Sequence, residues 1–225
     1  MIELTSREVF GWEAAIRGMR NPMNSHDKSD SSFIDIFENF FSGQLCPLKT
    51  AYIGPEDLKL MKKLAEAGSE HAKYRRMITV YVDILAPLYW WKEFDTYKIG
   101  TVVNSCSTMH SVHKKKFEMG DFSCEHLLDN DFNQYCGDPT PYGFMMRIVS
   151  VLNAYRAKYL ETKDKRYWWQ MIQLLPSSYN QKRTVMMNYE VLANVYHQRK
   201  NHKLDEWVKF CEWIEKLPFS EIITG

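Results

Sequence analysis

Neither a charge excess, a paired-cysteine motif nor a long apolar run occurs in this chain, and each absence removes a class of function. Lys and Arg number 29 against 28 Asp and Glu, a formal net charge of +1. No global field therefore draws a polyanion, and nucleic acid is not an expected partner. The five cysteines (Cys46, Cys106, Cys124, Cys136, Cys211) form an odd set without a CxxC pair. That pattern reads as reduced thiols rather than a secreted disulfide framework. No segment approaches the roughly 20 apolar residues that cross a bilayer. The N-terminal MIELTSREVF is charged within its first three residues, so no signal peptide, no membrane and a cytoplasmic location are expected. GxGxxG, GxxxxGK[ST], GxSxG and HExxH are missing too, which leaves the dinucleotide-fold, P-loop, hydrolase-elbow and zinc-protease readings without their signatures.

What is present is a core. Hydrophobic residues make up 45% of 225 residues, enough for one domain spanning 1–225 that needs no staples. Thr5 and Glu8 have capping-box spacing, and Val9, Trp12, Ile16 and Met19 follow at helical intervals, which predicts a helix over 6–20. Turn chemistry fills 21–30. Phe33, Ile36, Phe37 and Phe40, opened by Ser32 and Asp35, predict a short helix stopped near Gly43. Pro55 at a first helical position, Glu56 and Asp57 beside the positive helix end, Leu58, Met61 and Leu64 on one face, and Gly68 at the end predict another. From Met77 to Leu85 the period drops to two, with Ile78, Val80, Val82 and Ile84 on one side, which predicts a half-buried strand ended by Pro87. A helix over 88–95, a loop-rich 96–140, a long helix through Phe144–Tyr159, a helical RYWWQMIQLL closed by Pro176, and final helices over 184–200 and 204–216 complete the reading.

Two stretches stand out. In APLYWWKEFDTYKIGTVVNSCST, residues 86–108, an apolar aromatic run passes through a charged break into Asn, Ser, Cys, Ser and Thr. Small hydroxyl and amide side chains answer free backbone groups at the end of a buried element, and they also let a flat ligand approach the backbone closely. On a helical wheel over 184–200 with Asn188 at zero, Leu192, Val195 and Arg199 fall within roughly 40 degrees of it, so an amide and a guanidinium sit inside an apolar stripe. Either they are paired locally, the Asn to backbone and the Arg snorkelling from the helix end, or they face a ligand. His110, His113, Cys124, His126 and Cys136 have no closed zinc spacing, and the Lys run at 114–116 reads as a solvated face.

The order of these features resembles the flavin-dependent thymidylate synthases over residues 7–215. The resemblance rests on a helix ending in AG, a strand ending in AP, the NSCS turn, LP at Leu175 and Pro176, two Asn six apart at 188 and 194, and an Arg and His before a last amphipathic helix. The family signature Arg-His-Arg-x-x-Ser-x-Asn-Glu-x-Ser-x-Arg-Tyr meets this chain at 96–110, with one extra residue among Val102 and Val103. Its Arg, His, Arg, Glu, Arg and Tyr are replaced by Thr96, Tyr97, Lys98, Ser105, Met109 and His110, and the Arg expected before LP is Ile172.

The resemblance implies an α+β fold with helices packed on a mainly antiparallel sheet, a homotetramer, and one-carbon transfer from methylene-tetrahydrofolate to a pyrimidine nucleotide with FAD and NADPH. It implies that Thr96, Tyr97, Lys98, Thr101, Asn104, Asn188, Asn194 and His202 bind the cofactor. Ser105, Ser107 and Arg199 would bind substrate, with Arg199 and Ser107 catalytic. Met109 and Ile172 cannot replace forked guanidiniums at a phosphate. That leaves two readings: an enzyme with an altered substrate, for which Lys114, Lys182 and Arg183 are the candidate replacement cations, or an inactive nucleotide-binding or assembly module that keeps the fold.

Overall fold

The computed structural model describes residues 1–39, 45–129 and 140–225. In chain order the elements are β1 (Glu3–Phe10), α1 (Trp12–Arg20), β2 (Ser32–Asn39), β3 (Leu45–Tyr52), α2 (Pro55–Glu66), β4 (Thr79–Pro87), α3 (Leu88–Phe94) and β5 (Thr101–Ser105). Then follow α4 (Thr108–Ser111), α5 (Pro141–Thr162), α6 (Lys165–Leu174), β6 (Asn180–Asn188), α7 (Tyr189–Arg199), α8 (Asp205–Glu215) and α9 (Glu221–Thr224). Four strands form a sheet in the order β1-β4-β6-β5, while β2 and β3 pair as an antiparallel hairpin with Ser32 opposite Tyr52 and Asn39 opposite Leu45. β4 shows why its sequence reads so clearly as a strand. Ile78 just before it and Val80, Val82 and Ile84 within it are buried, while Tyr81 between them is exposed.

The residues group into two compact units, one of 1–5, 83–98 and 103–185, the other of 6–82, 99–102 and 186–225. In the first, α5 and α6 close over a core of Val112, Phe117, Phe122, Met145, Leu152 and Met171. The fully buried Trp90 and Trp91 of α3 meet edge to face at 4.9 Å, and Phe94 stacks on Trp90 at 5.0 Å. In the second, Trp12 of α1 meets Tyr189 of α7 at 5.4 Å, and Met61, Leu192, Val195, Trp207 and Phe210 are buried with them. The start of α2 is satisfied from outside the helix. Asp30 accepts from the backbone N–H groups of Glu56 and Asp57 at 2.9 and 3.0 Å.

Three expectations are corrected. Residues 3–10 are a strand and not the start of a helix, because Gly11 breaks the chain there with φ 96. A Cβ at Gly11 would collide with the Met77 carbonyl oxygen, so α1 can begin only at Trp12. Residues 32–39 are strand β2 and not a helix, since their Phe and Ile content suits a strand once β3 supplies a partner; the expected stop at Gly43 lies outside the described residues, as does Cys136. The helix expected over 184–200 is a strand up to Asn188 and a helix from Tyr189, with Val185 and Met187 buried at period two. β5 and α4 lie within the stretch read as loop. The strand over 77–85 and the helices over 88–95, 144–159, 166–175 and 204–216 appear as β4, α3, α5, α6 and α8. Among the described residues no helix is long and apolar enough to cross a membrane.

Candidate functional site

The NSCST turn is the hub of a cavity of about 430 Å³ in the first unit. Its polar lining is Ser105, Ser107, Thr108 and Gln181, and its apolar lining is Leu88, Met109, Ile172 and Leu175. Backbone bonds hold the walls: Cys106 N–H donates to the Lys182 carbonyl at 3.0 Å, and Leu88 N–H to the Tyr179 carbonyl at 3.0 Å. Ser107 caps the one-turn α4 by accepting from the His110 N–H at 3.4 Å. Ser105 forms no side-chain hydrogen bond among the described residues, so its hydroxyl is open to another molecule.

Gln181 fixes the turn. Its Nε2 donates to the Cys106 carbonyl at 2.9 Å and to Thr108 Oγ1 at 3.1 Å, while its Oε1 accepts from Arg183 Nε at 2.9 Å and its carbonyl accepts from Trp91 Nε1 at 2.9 Å. Arg183 is spent in that role, bonded to Asp95 at 2.7 Å and stacked 4.2 Å over the Trp91 ring. Lys182 pairs with Asp83 at 3.0 Å. The Asp83 carboxyl is held below its ordinary range, first by the Thr184 hydroxyl at 2.7 Å and then by Lys182. None of the three candidate replacement cations, Lys114, Lys182 and Arg183, lines the cavity.

The residues picked from sequence divide. Ser105, Ser107, Met109 and Ile172 meet in this one cavity although 67 positions separate the first from the last (172 − 105). Thr96, Tyr97, Lys98 and Asn104 belong to the same unit but do not line it. Thr96 closes the end of α3 by donating to the Glu93 carbonyl at 2.7 Å, Tyr97 is half-buried, and Lys98 and Asn104 are exposed. Thr108 is reached as the last residue of the NSCST turn, whereas Gln181 and Leu88 are not marked as site residues by the sequence. Gln181 offers no local signal, because its importance comes from a strand neighbour 75 positions away.

The other expected residues lie in the second unit. Asn188 caps α7, its Oδ1 accepting from the Val191 N–H at 3.0 Å, so this amide is bonded to backbone and not stranded in an apolar stripe. Gly100, at φ 79, has room for no Cβ, which would stand 2.7 Å from Asn188 Nδ2. Thr101 Oγ1 is buried with no hydrogen-bond partner among the described residues. Asn194 is exposed. The half-buried Arg199 lies 4.8 Å over the Trp207 ring, and His202 Nδ1 accepts from the Leu204 N–H at 3.2 Å. Cys106, Cys124 and Cys211 are free thiols, and no cluster of three or more metal-ligating side chains occurs among the described residues.

No family model and no curated protein matches the sequence. Solved structures do. Thymidylate synthase X from Helicobacter pylori, in two structures with FAD and dUMP, is similar at TM-score 0.66 with 14% and 15% identity, covering 100% and 99% of this chain and 97% of its own. The UMP/dUMP methylase PolB from Streptomyces cacaoi, bound with 5-Br dUMP, is similar at TM-score 0.59 with 14% identity, covering 98% of this chain and 92% of its own. The chain thus has the fold of the flavin-dependent thymidylate synthases, helices packed on antiparallel sheet.

Proposed function

We propose that the chain is a divergent flavin-dependent thymidylate synthase-like protein that binds a pyrimidine and FAD and transfers one carbon to the pyrimidine ring. The observation that carries this reading is the convergence of Ser105, Ser107, Met109 and Ile172 on one cavity. These positions were selected from two separate motifs of the family and have no reason to meet in an unrelated site. Neighbours of the same fold hold dUMP or a brominated dUMP.

The residues fit the flavin in one specific respect. The buried Thr101 hydroxyl has an unanswered hydrogen-bonding group that a ligand carbonyl or ring nitrogen would satisfy. Thr101 and Asn188 would bond the cofactor, with Thr96, Tyr97, Lys98, Asn104, Asn194 and His202 as its further contacts. Bound FAD would supply hydride, and NADPH and methylene-tetrahydrofolate would be the co-substrates. Ser105 and Ser107 would hold the pyrimidine, and Arg199 would stabilise negative charge developing on it. A homotetramer in the cytoplasm completes the proposal.

The test is colour. Purified protein given FAD should retain it through gel filtration and show a flavin absorbance band, whereas a colourless protein that ignores added FAD would overturn the cofactor assignment. One observation favours a second reading, an inactive binding or assembly module: among the described residues no charged side chain lines the cavity. A flavin-loaded protein that binds a pyrimidine but yields no methylated product by mass spectrometry, with both co-substrates supplied, would select that module.

A further inference from the structure

We propose that a second cavity, between the end of α1 and one face of α2, binds a phosphate group, carried either by inorganic phosphate or by the monoester of a small molecule. The site does not depend on the pyrimidine reading, since none of its residues is among those assigned to pyrimidine or flavin. It encloses about 490 Å³, within the range of small-molecule sites, and all of its lining belongs to the second unit. Arg20 closes α1, Ser25 and Lys28 come from the turns that follow it, and α2 contributes Glu56, Lys59 and Lys63. The last three recur at steps of three and four, so they share one face of the helix, while Asp57 and Met61 are buried on the other side.

The charges of this lining are not balanced from within. Lys59 and Lys63 stand four apart, where like charges repel along a helix, and among the described residues neither they nor Lys28 forms an ion pair. Lys62, one position away, does pair, with Glu221 at 3.3 Å. Three ammoniums against the single Glu56 carboxylate leave two positive charges in excess, Arg20 and Asp57 cancelling each other. A phosphate monoester carries about −1.5 to −2 at pH 7.

Exposed lysines alone would read as a solvated face; Arg20 makes this a site. It lines the cavity although it is only 4% exposed. Its Nε donates to Asp57 at 2.6 Å and its Nη1 to the Ser25 carbonyl at 3.1 Å. Nη2 has no partner among the described residues and is not sealed from solvent, so a guanidinium nitrogen held rigid by two bonds is left to the cavity. The Ser25 hydroxyl, also without a partner among the described residues, is a further donor. A fixed guanidinium donor with flexible ammoniums around it suits phosphate oxygens, and Met23 and Leu60 add apolar surface for the organic part of an ester.

Isothermal titration of the full chain with inorganic phosphate and, separately, glycerol 3-phosphate tests this, in about 0.15 M NaCl so that diffuse attraction is screened. At least one should bind with a Kd of about 1 mM or tighter. Lys59→Gln with Lys63→Gln, shown folded by circular dichroism, should weaken it at least tenfold; Arg20 is left unchanged because Asp57 relies on it. Glycerol 3-phosphate bound no tighter than inorganic phosphate would assign the free ion, and tighter binding would bring Met23 and Leu60 into the site; either result supports the proposal. No heat with either compound would overturn it. So would unchanged binding in the double variant, which would put the phosphate elsewhere on the chain. Succinate, a dianion without phosphorus, bound as tightly as phosphate would reduce the cavity to a generic cation cluster, and the proposal would fall.

Discussion

Two buried arginine–carboxylate pairs in the second unit differ in how fully they are satisfied. Arg20 and Asp57 meet at 2.6 Å, and the carboxylate is answered on every side. Asp57 Oδ2 accepts from the hydroxyls of Ser29 and Ser31 at 2.6 and 2.7 Å and from the backbone N–H groups of Asp30 and Ser31, while Arg20 also donates to the Ser25 carbonyl. Arg75 and Glu190 stand 3.7 Å apart, also buried, but Arg75 Nε, Arg75 Nη2 and Glu190 Oε2 have no hydrogen-bond partner among the described residues. The chemistry is the same and the burial similar, so the difference isolates the role of the surrounding network. Burial costs each ion several kcal/mol, and only a full set of hydrogen bonds offsets it. The first pair holds together α1, the 25–31 loop and α2. The second is held in place by the fold around it.

The largest effect should follow from breaking the satisfied pair. Asp57→Ala strands a buried guanidinium together with two serine hydroxyls and should cost about 3–5 kcal/mol in urea unfolding; a loss under about 1 kcal/mol would show that the network relaxes or lets water in. Acid sharpens the same point. Burial, the largest influence on Asp57, would raise its pKa, but Ser29, Ser31 and Arg20 together outweigh it and hold the carboxyl below its ordinary 3.8. A depressed folded pKa contributes stability above the unfolded value, and that stability is lost as pH falls through the folded one. The unmodified protein should therefore lose stability below about pH 4 more steeply than Asp57→Ala does.

The same contrast explains what could be read from the sequence. α2 was legible because Pro55, the acidic first turn and Gly68 are local signals, and β4 because Ile78, Val80, Val82 and Ile84 carry its period alone. Asp57 was read only as an acid near a helix end; its bond to Arg20, 37 positions away, leaves no local trace. β2 was misread because aromatic and Ile residues suit either period until β3 pairs with them. The wheel over 184–200 ran a helical period across a strand, and Asn188 looked misplaced because it is the cap at that junction. At the site, the family motif led to Ser105, Ser107, Met109 and Ile172. Gln181, which braces the turn from the neighbouring strand, depends on pairing that no single segment encodes.

Arg199 is an intermediate case, a half-buried guanidinium over the face of Trp207 at 4.8 Å, in the last turn of α7 where a cation is favoured. Arg199→Ala should cost about 0.5–2 kcal/mol, a fall of roughly 1–8 °C in the ligand-free melting temperature for a chain of this size. If Arg199 also holds the pyrimidine, the variant should lose the rise in melting temperature that dUMP gives the unmodified protein. A ligand-free fall well beyond 10 °C would make the guanidinium a core element, and an undiminished ligand-induced rise would remove it from the site.

The smallest effect is expected where the pair is least satisfied. Replacing both partners, Arg75→Met with Glu190→Leu, removes two incompletely bonded buried charges at once and puts apolar volume in their place. Because the native pair has three unanswered polar atoms, the desolvation it carries exceeds what the 3.7 Å attraction returns. The double variant should fall within about 1 kcal/mol of the unmodified protein or be more stable. Either single change should cost more, since it leaves one ion buried alone, and the coupling energy from the full cycle separates the pair from its surroundings. The matching double replacement, Arg20→Met with Asp57→Leu, should be clearly destabilising, because Ser29, Ser31 and two backbone N–H groups lose their acceptor. Equal losses in the two double variants would mean that satisfaction of the network does not distinguish these pairs. A large loss only at Arg75 and Glu190 would reverse the comparison and show that the poorly bonded pair is the one the fold depends on.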